Sequence, residues 1–201
     1  AFAGLSRASS GTAQTMLEMM ADMPQGGLVR RNGRLVPHPF GKGGKQVTFS
    51  DGQTRQVTPI PWGDLATAQL STGIPNITAY MAISLPPGAS LVSPLAARLM
   101  KIGPVRQAGR KLISWTIHGP DEALRQRARS YIWACASDDA GNKREAWLET
   151  LEAYRLTAVA GILAVENTLR HQPNGALTPS LAFGADFVLE IENTHRFDYR
   201  S

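Results

Sequence analysis

The chain has little of what most catalytic or scaffolded proteins advertise. One cysteine among 201 residues, Cys135, excludes an internal disulfide framework. Its setting, Tyr131-Ile132-Trp133-Ala134-Cys135, reads as a strand in which the thiol is a buried small hydrophobe. Cysteine this sparse suits a cytosolic, reducing compartment. The four histidines, His38, His118, His171 and His195, are scattered, and none stands at ligand spacing from a cysteine or an acid, so a metal centre has no support. No Gly-x-Ser-x-Gly occurs, which removes the usual hydrolase elbow. No run reaches the roughly eighteen apolar residues of a membrane span. The longest apolar segment, Leu156 to Leu169, is interrupted by Glu166 and Asn167. Phosphate motifs are missing as well. Gly44-Lys45 lacks a glycine five residues earlier, and Gly41-x-Gly43 has Gln46 where a dinucleotide fingerprint needs its last glycine.

What is present is an ordinary globular composition, 43% hydrophobic and 18% charged, with a net charge of +5 that is unevenly spread. Residues 98–129 hold most of the excess, in Arg98, Lys101, Arg106, Arg110, Lys111, Arg125, Arg127 and Arg129, whereas residues 130–201 are net acidic. Such a block can meet phosphates or an acidic partner, or it can be a solvated face. Aromatics do not interleave with it and no nucleic-acid-binding signature is present, so nucleic acid is not an expected partner.

Punctuation and periodicity give the elements. Ser9-Ser10 can cap a helix to about Met23, with Met16, Met19, Met20 and Met23 along one face. That stripe fits a core or subunit interface. Asn32-Gly33 and Asp51-Gly52 each join two short β-prone runs, which predicts two hairpins over 28–36 and 45–58. A helix is expected from Trp62 to Leu70, and an alternating strand from Asn76 to Ser84. Two basic amphipathic helices over 91–102 and 105–117 are separated by Gly103-Pro104. A third hairpin pairs 130–137 with 144–152 and makes Glu145, Glu149 and Glu152 a solvated edge. Tyr154 to Arg170 is a helix apolar all round, which predicts cover on both sides, one by the sheet and one by a second subunit. The tail from Leu177 reads as a short capped helix and then a strand. Hairpins first and helices later predict an α+β domain: a mixed, largely antiparallel sheet with helices packed on one face. The whole of 1–201 is expected to be a single domain.

The candidate site residues are small polar groups at chain breaks. Ser10 and Thr12 stand at a helix N-terminus, where free N–H groups favour an anion. Asp64 follows Trp62 at the start of the next helix. Ser71, Thr72 and Asn76 flank Gly73-Ile74-Pro75, where a carbonyl or carboxylate can be hydrogen-bonded. Plain capping and turn chemistry explain the same residues.

Four ordered passages carry a resemblance: Ser10-Gly11-Thr12-Ala13-x-Thr15-Met16-Leu17-Glu18, then Gly27 to Val36, then Pro61 to Ile77, then Thr178-Pro179-Ser180-Leu181-Ala182-Phe183-Gly184-Ala185-Asp186. In these the chain resembles the region after the nucleotide-binding domain of saccharopine dehydrogenase-like proteins, a group that includes the trans-acting enoyl reductases. The resemblance implies a two-domain oxidoreductase. An N-terminal Rossmann domain, absent from these residues, would hold NAD(P). This chain, which begins Ala1-Phe2-Ala3-Gly4, would be a fragment supplying the substrate cleft and a homodimer interface, with no cofactor site of its own. The substrate would be a small molecule or an acyl chain. The rival readings are a non-enzymatic protein-interaction module, and an accessory enoyl or keto reductase domain acting on a carrier-bound acyl chain.

Overall fold

The structure, a computed structural model, describes residues 1–4, 7–22, 27–39, 42–83, 99 and 102–198, and for residues 19–22 the backbone alone. The Pro86-Pro87-Gly88 break, the expected helix over 91–102 (Leu99 and Ile102 apart) and Met23 lie outside the described residues, as do the side chains of Met19 and Met20.

The fold is α+β. Its sheet has seven strands in the order β4-β5-β6-β1-β7-β8-β9 and is antiparallel except where β1 (Phe2–Ala3) runs parallel to β6 (Tyr80–Met81). The first pair is β4 (Lys45–Thr48) and β5 (Thr54–Pro59), turned at Asp51-Gly52 as expected, with Gly52 at φ +77°. The long pair is β7 (Arg129–Ser137) and β8 (Lys143–Leu151), followed by β9 (His195–Phe197) on the far edge. A separate two-stranded sheet joins β2 (Leu28–Arg31) to β3 (Arg34–Pro37). Its turn needs positive φ at both central residues, and Asn32 (φ 49°) and Gly33 (φ 75°) supply it.

The helices are α1 (Ser10–Asp22), α2 (Asp64–Thr72), α3 (Gly103–Thr116), α4 (Glu122–Arg127), α5 (Ala153–His171) and α6 (Pro179–Phe183). Gly103-Pro104 opens α3 and does not merely separate two helices, because proline in a first turn loses no intrahelical bond. α3 packs on α1: a Cβ on Gly109 would sit 3.4 Å from Leu17 Cδ2, and Glu18 lies 3.6 Å from both Arg106 and Arg110. Those pairs are partly exposed and worth at most about 1 kcal/mol.

The core cluster is Ala3, Val47, Phe49 and Val57, with Tyr80, Tyr131 and Trp133 packed against it. Burying Phe49 and Val57 stabilises by roughly 1.5–3 kcal/mol each. Trp147 is buried and donates its indole N–H to Thr48 O at 2.9 Å, which ties the two large hairpins together.

Four expectations fail, each for a local reason. The strand expected over Asn76–Ser84 shrinks to Tyr80–Met81, because the preceding residues pair elsewhere. Ile77 exchanges both backbone bonds with Arg30, and Pro75 O accepts from Gly33 N. The strand expected after α6 is a 3₁₀ turn, Phe187–Glu190, with Phe187 and Ile191 buried at helical spacing. Cys135 is exposed, not buried: the pairing beside β7 reaches Trp133, which exchanges bonds with Ala1, and beyond it the described residues place only β8 next to β7. Glu152 is no solvated edge. It is wholly buried and caps α5, its carboxylate accepting from Tyr154 N (2.9 Å) and Arg155 N (3.2 Å), while Glu149 pairs with Arg129 at 3.1 Å.

Candidate functional site

The described residues enclose a broad open cleft of about 2,490 Å³. It exceeds the roughly 300–1,000 Å³ of a typical small-ligand pocket. Its lining comes from α1, the Pro61–Tyr80 passage, the β7–β8 hairpin and the first turns of α5.

Five of the seven candidate residues line it: Thr12, Trp62, Asp64, Thr72 and Asn76. Trp62 is partly exposed and meets Phe2 edge-on, with ring centroids 5.6 Å apart. Asp64 is exposed in the first turn of α2, where the helix dipole favours a carboxylate, but it makes no capping bond. Thr72 and Asn76 are committed to turn chemistry. Thr72 Oγ1 donates to Ala68 O (2.6 Å) and accepts from Ile74 N (3.2 Å), closing α2 before Gly73 at φ 71°. Asn76 Oδ1 accepts from Asn32 N at 2.9 Å and holds the β2–β3 turn.

The other two, Ser10 and Ser71, do not line the cleft. Ser10 opens α1, but Ser9 is its cap, Oγ accepting from Thr12 N at 3.1 Å. Ser71 closes a ring of hydroxyls with Thr178 (2.9 Å) and Ser180 (3.1 Å), which docks α6 on the end of α2. Thr178 also caps α6 by accepting from Leu181 N.

Three cleft residues had no place among the sequence candidates. Lys45 Nζ stands 4.1 Å from the Trp133 ring centroid and 4.8 Å from that of Tyr80, a cation over two aromatic faces. Trp133 is fixed in turn by its indole N–H donating to Glu145 at 3.1 Å. The third is Tyr154. Its phenol oxygen accepts from Ser9 N at 2.6 Å and lies 2.8 Å from Thr12 Oγ1. Burial pushes this phenol up, and the hydrogen bonds from Ser9 and Thr12 together outweigh it, so it is held below its ordinary value. Only long-range contact reveals Tyr154, since 142 residues separate it from Thr12.

A pyrophosphate seat needs closely spaced glycines between a strand and a helix N-terminus. α2 is preceded by Pro61-Trp62-Gly63, with a single glycine, and α1 by Ser9. Among the described residues no group of three or more His, Cys, Asp or Glu is placed to hold a metal, and no helix is long and apolar enough to cross a membrane.

The basic block is partly neutralised. Arg106 and Arg110 face Glu18, and Arg129 faces Glu149. Arg98 and Lys101 lie outside the described residues.

No protein-family model matches the chain, and no curated protein matches it.

Proposed function

We propose that this chain is the substrate-side and dimerisation domain of a saccharopine dehydrogenase-like oxidoreductase of the cytoplasm. The NAD(P) of such an enzyme would be held by its own upstream Rossmann domain, and the 201 residues alone would be inactive.

One observation carries the reading. Of the four passages behind the resemblance, three are bonded to one another and the fourth, on α1, lines the same cleft as the Pro61 passage. The β2–β3 hairpin is bound to the Pro61–Ile77 passage through Ile77–Arg30 pairing, through Asn76, and through buried Arg30, whose Nε donates to Leu65 O at 2.5 Å. The Thr178 passage joins that wall through Ser71. α1 and the Pro61 passage both line the cleft. The Pro61 passage lines the cleft, and the β2–β3 hairpin and the Thr178 passage are bonded to it, which is the bracing a substrate wall would need. Hydride transfer requires that substrate be positioned against a cofactor, and positioning is the part such a wall performs.

Two further features extend the proposal. The breadth of the cleft and its aromatic lining favour a bulky acyl substrate, which supports the variant in which the domain serves a carrier-bound acyl chain. A homodimer is supported by α5, where Ile162, Val165 and Leu169 are exposed along one face beside Gly161, which has open space above it.

Fluorescence titration of NADPH and NADH against the 201-residue chain tests the division of labour. The expected outcome is no saturable binding. Tight binding would mean that the chain has its own cofactor site and is not half of a two-domain enzyme.

A further inference from the structure

The hydroxyls at the α1 end of the cleft form a hydrogen-bonded chain. Ser9 Oγ accepts from Thr12 N at 3.1 Å and lies 3.0 Å from Thr12 Oγ1. Thr12 Oγ1 lies 2.8 Å from the phenol oxygen of Tyr154, which also accepts from Ser9 N at 2.6 Å. A serine or threonine hydroxyl gives one proton and accepts up to two, and a phenol does the same. If Ser9 donates to Thr12 and Thr12 donates to Tyr154, the phenol oxygen accepts twice and its own proton is unspent. The reverse order leaves the Ser9 proton with no acceptor in the cluster. Thr12 and Tyr154 line the cleft, whereas Ser9 does not. The first order places the unspent proton on the member of the cluster that lines the cleft and is held by two partners.

We propose that Tyr154 is the hydrogen-bond donor of this cleft, its oxygen fixed by Ser9 N–H and Thr12, and that it takes the carbonyl oxygen of a ligand carried on an apolar chain. The proposal rests on the cleft being the substrate site, as above, and names the group that receives the substrate. A neutral carbonyl fits better than a carboxylate. The other lining residues of α1 and α5 are Thr12, Thr15, Met16, Ala153, Leu156 and Thr157, all uncharged. The nearest carboxylate, Glu152, is buried against the α5 backbone, and its charge acts to keep the phenol protonated. Two donors on the phenol oxygen strengthen it as a donor, in keeping with a Tyr154 phenol held below its ordinary pKa.

Two measurements on the 201-residue chain test this. The first follows the tyrosine ring-carbon resonances through an alkaline titration. Tyr154 is expected to ionise below free tyrosine, Thr12→Val to shift it upward, and Tyr154→Phe to remove that resonance while leaving the fold's other resonances in place. A Tyr154 that titrates like free tyrosine, with no response to Thr12→Val, overturns the relay. The second compares binding of 2-heptanone with its methylene isostere, 2-methyl-1-heptene, to wild type and to Tyr154→Phe. Loss of one hydrogen bond is expected to weaken the ketone about fivefold and to leave the alkene unchanged. Equal effects on both, or on neither, overturn the assignment of Tyr154 as the ligand's donor. If neither probe binds wild type, the cleft reading itself fails, and the ligand assignment with it, while the titration still reports separately on the relay.

Discussion

Asp51 shows how far one residue's chemistry can be followed. It sits in the β4–β5 turn, accepts from Gln53 N at 3.1 Å, and takes the Arg55 guanidinium at both carboxylate oxygens, one contact being 2.9 Å. Arg55 lies in turn over the Phe49 ring (5.3 Å) and the Tyr131 ring (5.5 Å), so the pair joins the turn to the core. The Arg55 hydrogen bond holds the Asp51 carboxyl below its ordinary value. A carboxyl depressed in the folded state contributes stability that is fully present above its unfolded pKa, and that is lost as pH falls through the folded one. The stability of wild type to urea should therefore fall between about pH 5 and about pH 2, and Asp51→Asn should flatten that acid limb. Equal acid limbs in the two proteins would show that the pair does not couple to folding.

Among the elements, α5 makes the sharpest claim about assembly. A helix apolar on all sides was expected to be covered on all sides, yet Ile162 is 63% exposed and Leu169 74% exposed in the single chain. A second copy is the cover we propose, burying more than roughly 1,200 Å² in total. Light scattering at micromolar concentration should give twice the chain mass for wild type and the monomer mass for an Ile162→Asp, Leu169→Asp double variant. A wild-type monomer would leave the dimer without support. The elements that were legible in sequence are those governed by local chemistry. Asn32-Gly33 and Asp51-Gly52 fix their hairpins because few residues accept the positive φ that such turns need. Thr178-Pro179 marks the start of α6 by the same kind of rule. Those that misread depend on distant partners. The alternation of Ile77, Ala79 and Met81 is real, but whether it forms a strand was decided by Arg30, 47 residues before Ile77. Cys135 sits in a β-prone run and is exposed because, among the described residues, only β8 pairs with it. In the cleft, Thr12, Trp62 and Asp64 were legible as polar or aromatic groups at helix starts, while Thr72 and Asn76 belong to turn chemistry. Tyr154 and Lys45 were hidden, since nothing near them in sequence marks a phenol held by Ser9 or an ammonium over Trp133.

For the whole molecule, the central claim is that the cleft receives a ligand. The four tryptophans make a built-in test. Trp62, Trp133 and Trp147 line the cleft, whereas Trp115 stands on α3, 77% exposed and away from it. Each carries one indole N–H that is resolved by nitrogen-edited NMR. Titration with 2-heptanone is the measurement to make first. The account predicts that the Trp62 and Trp133 indole resonances move together along one saturable curve while Trp115 stays in place. No movement, or movement of Trp115 alone, would contradict it.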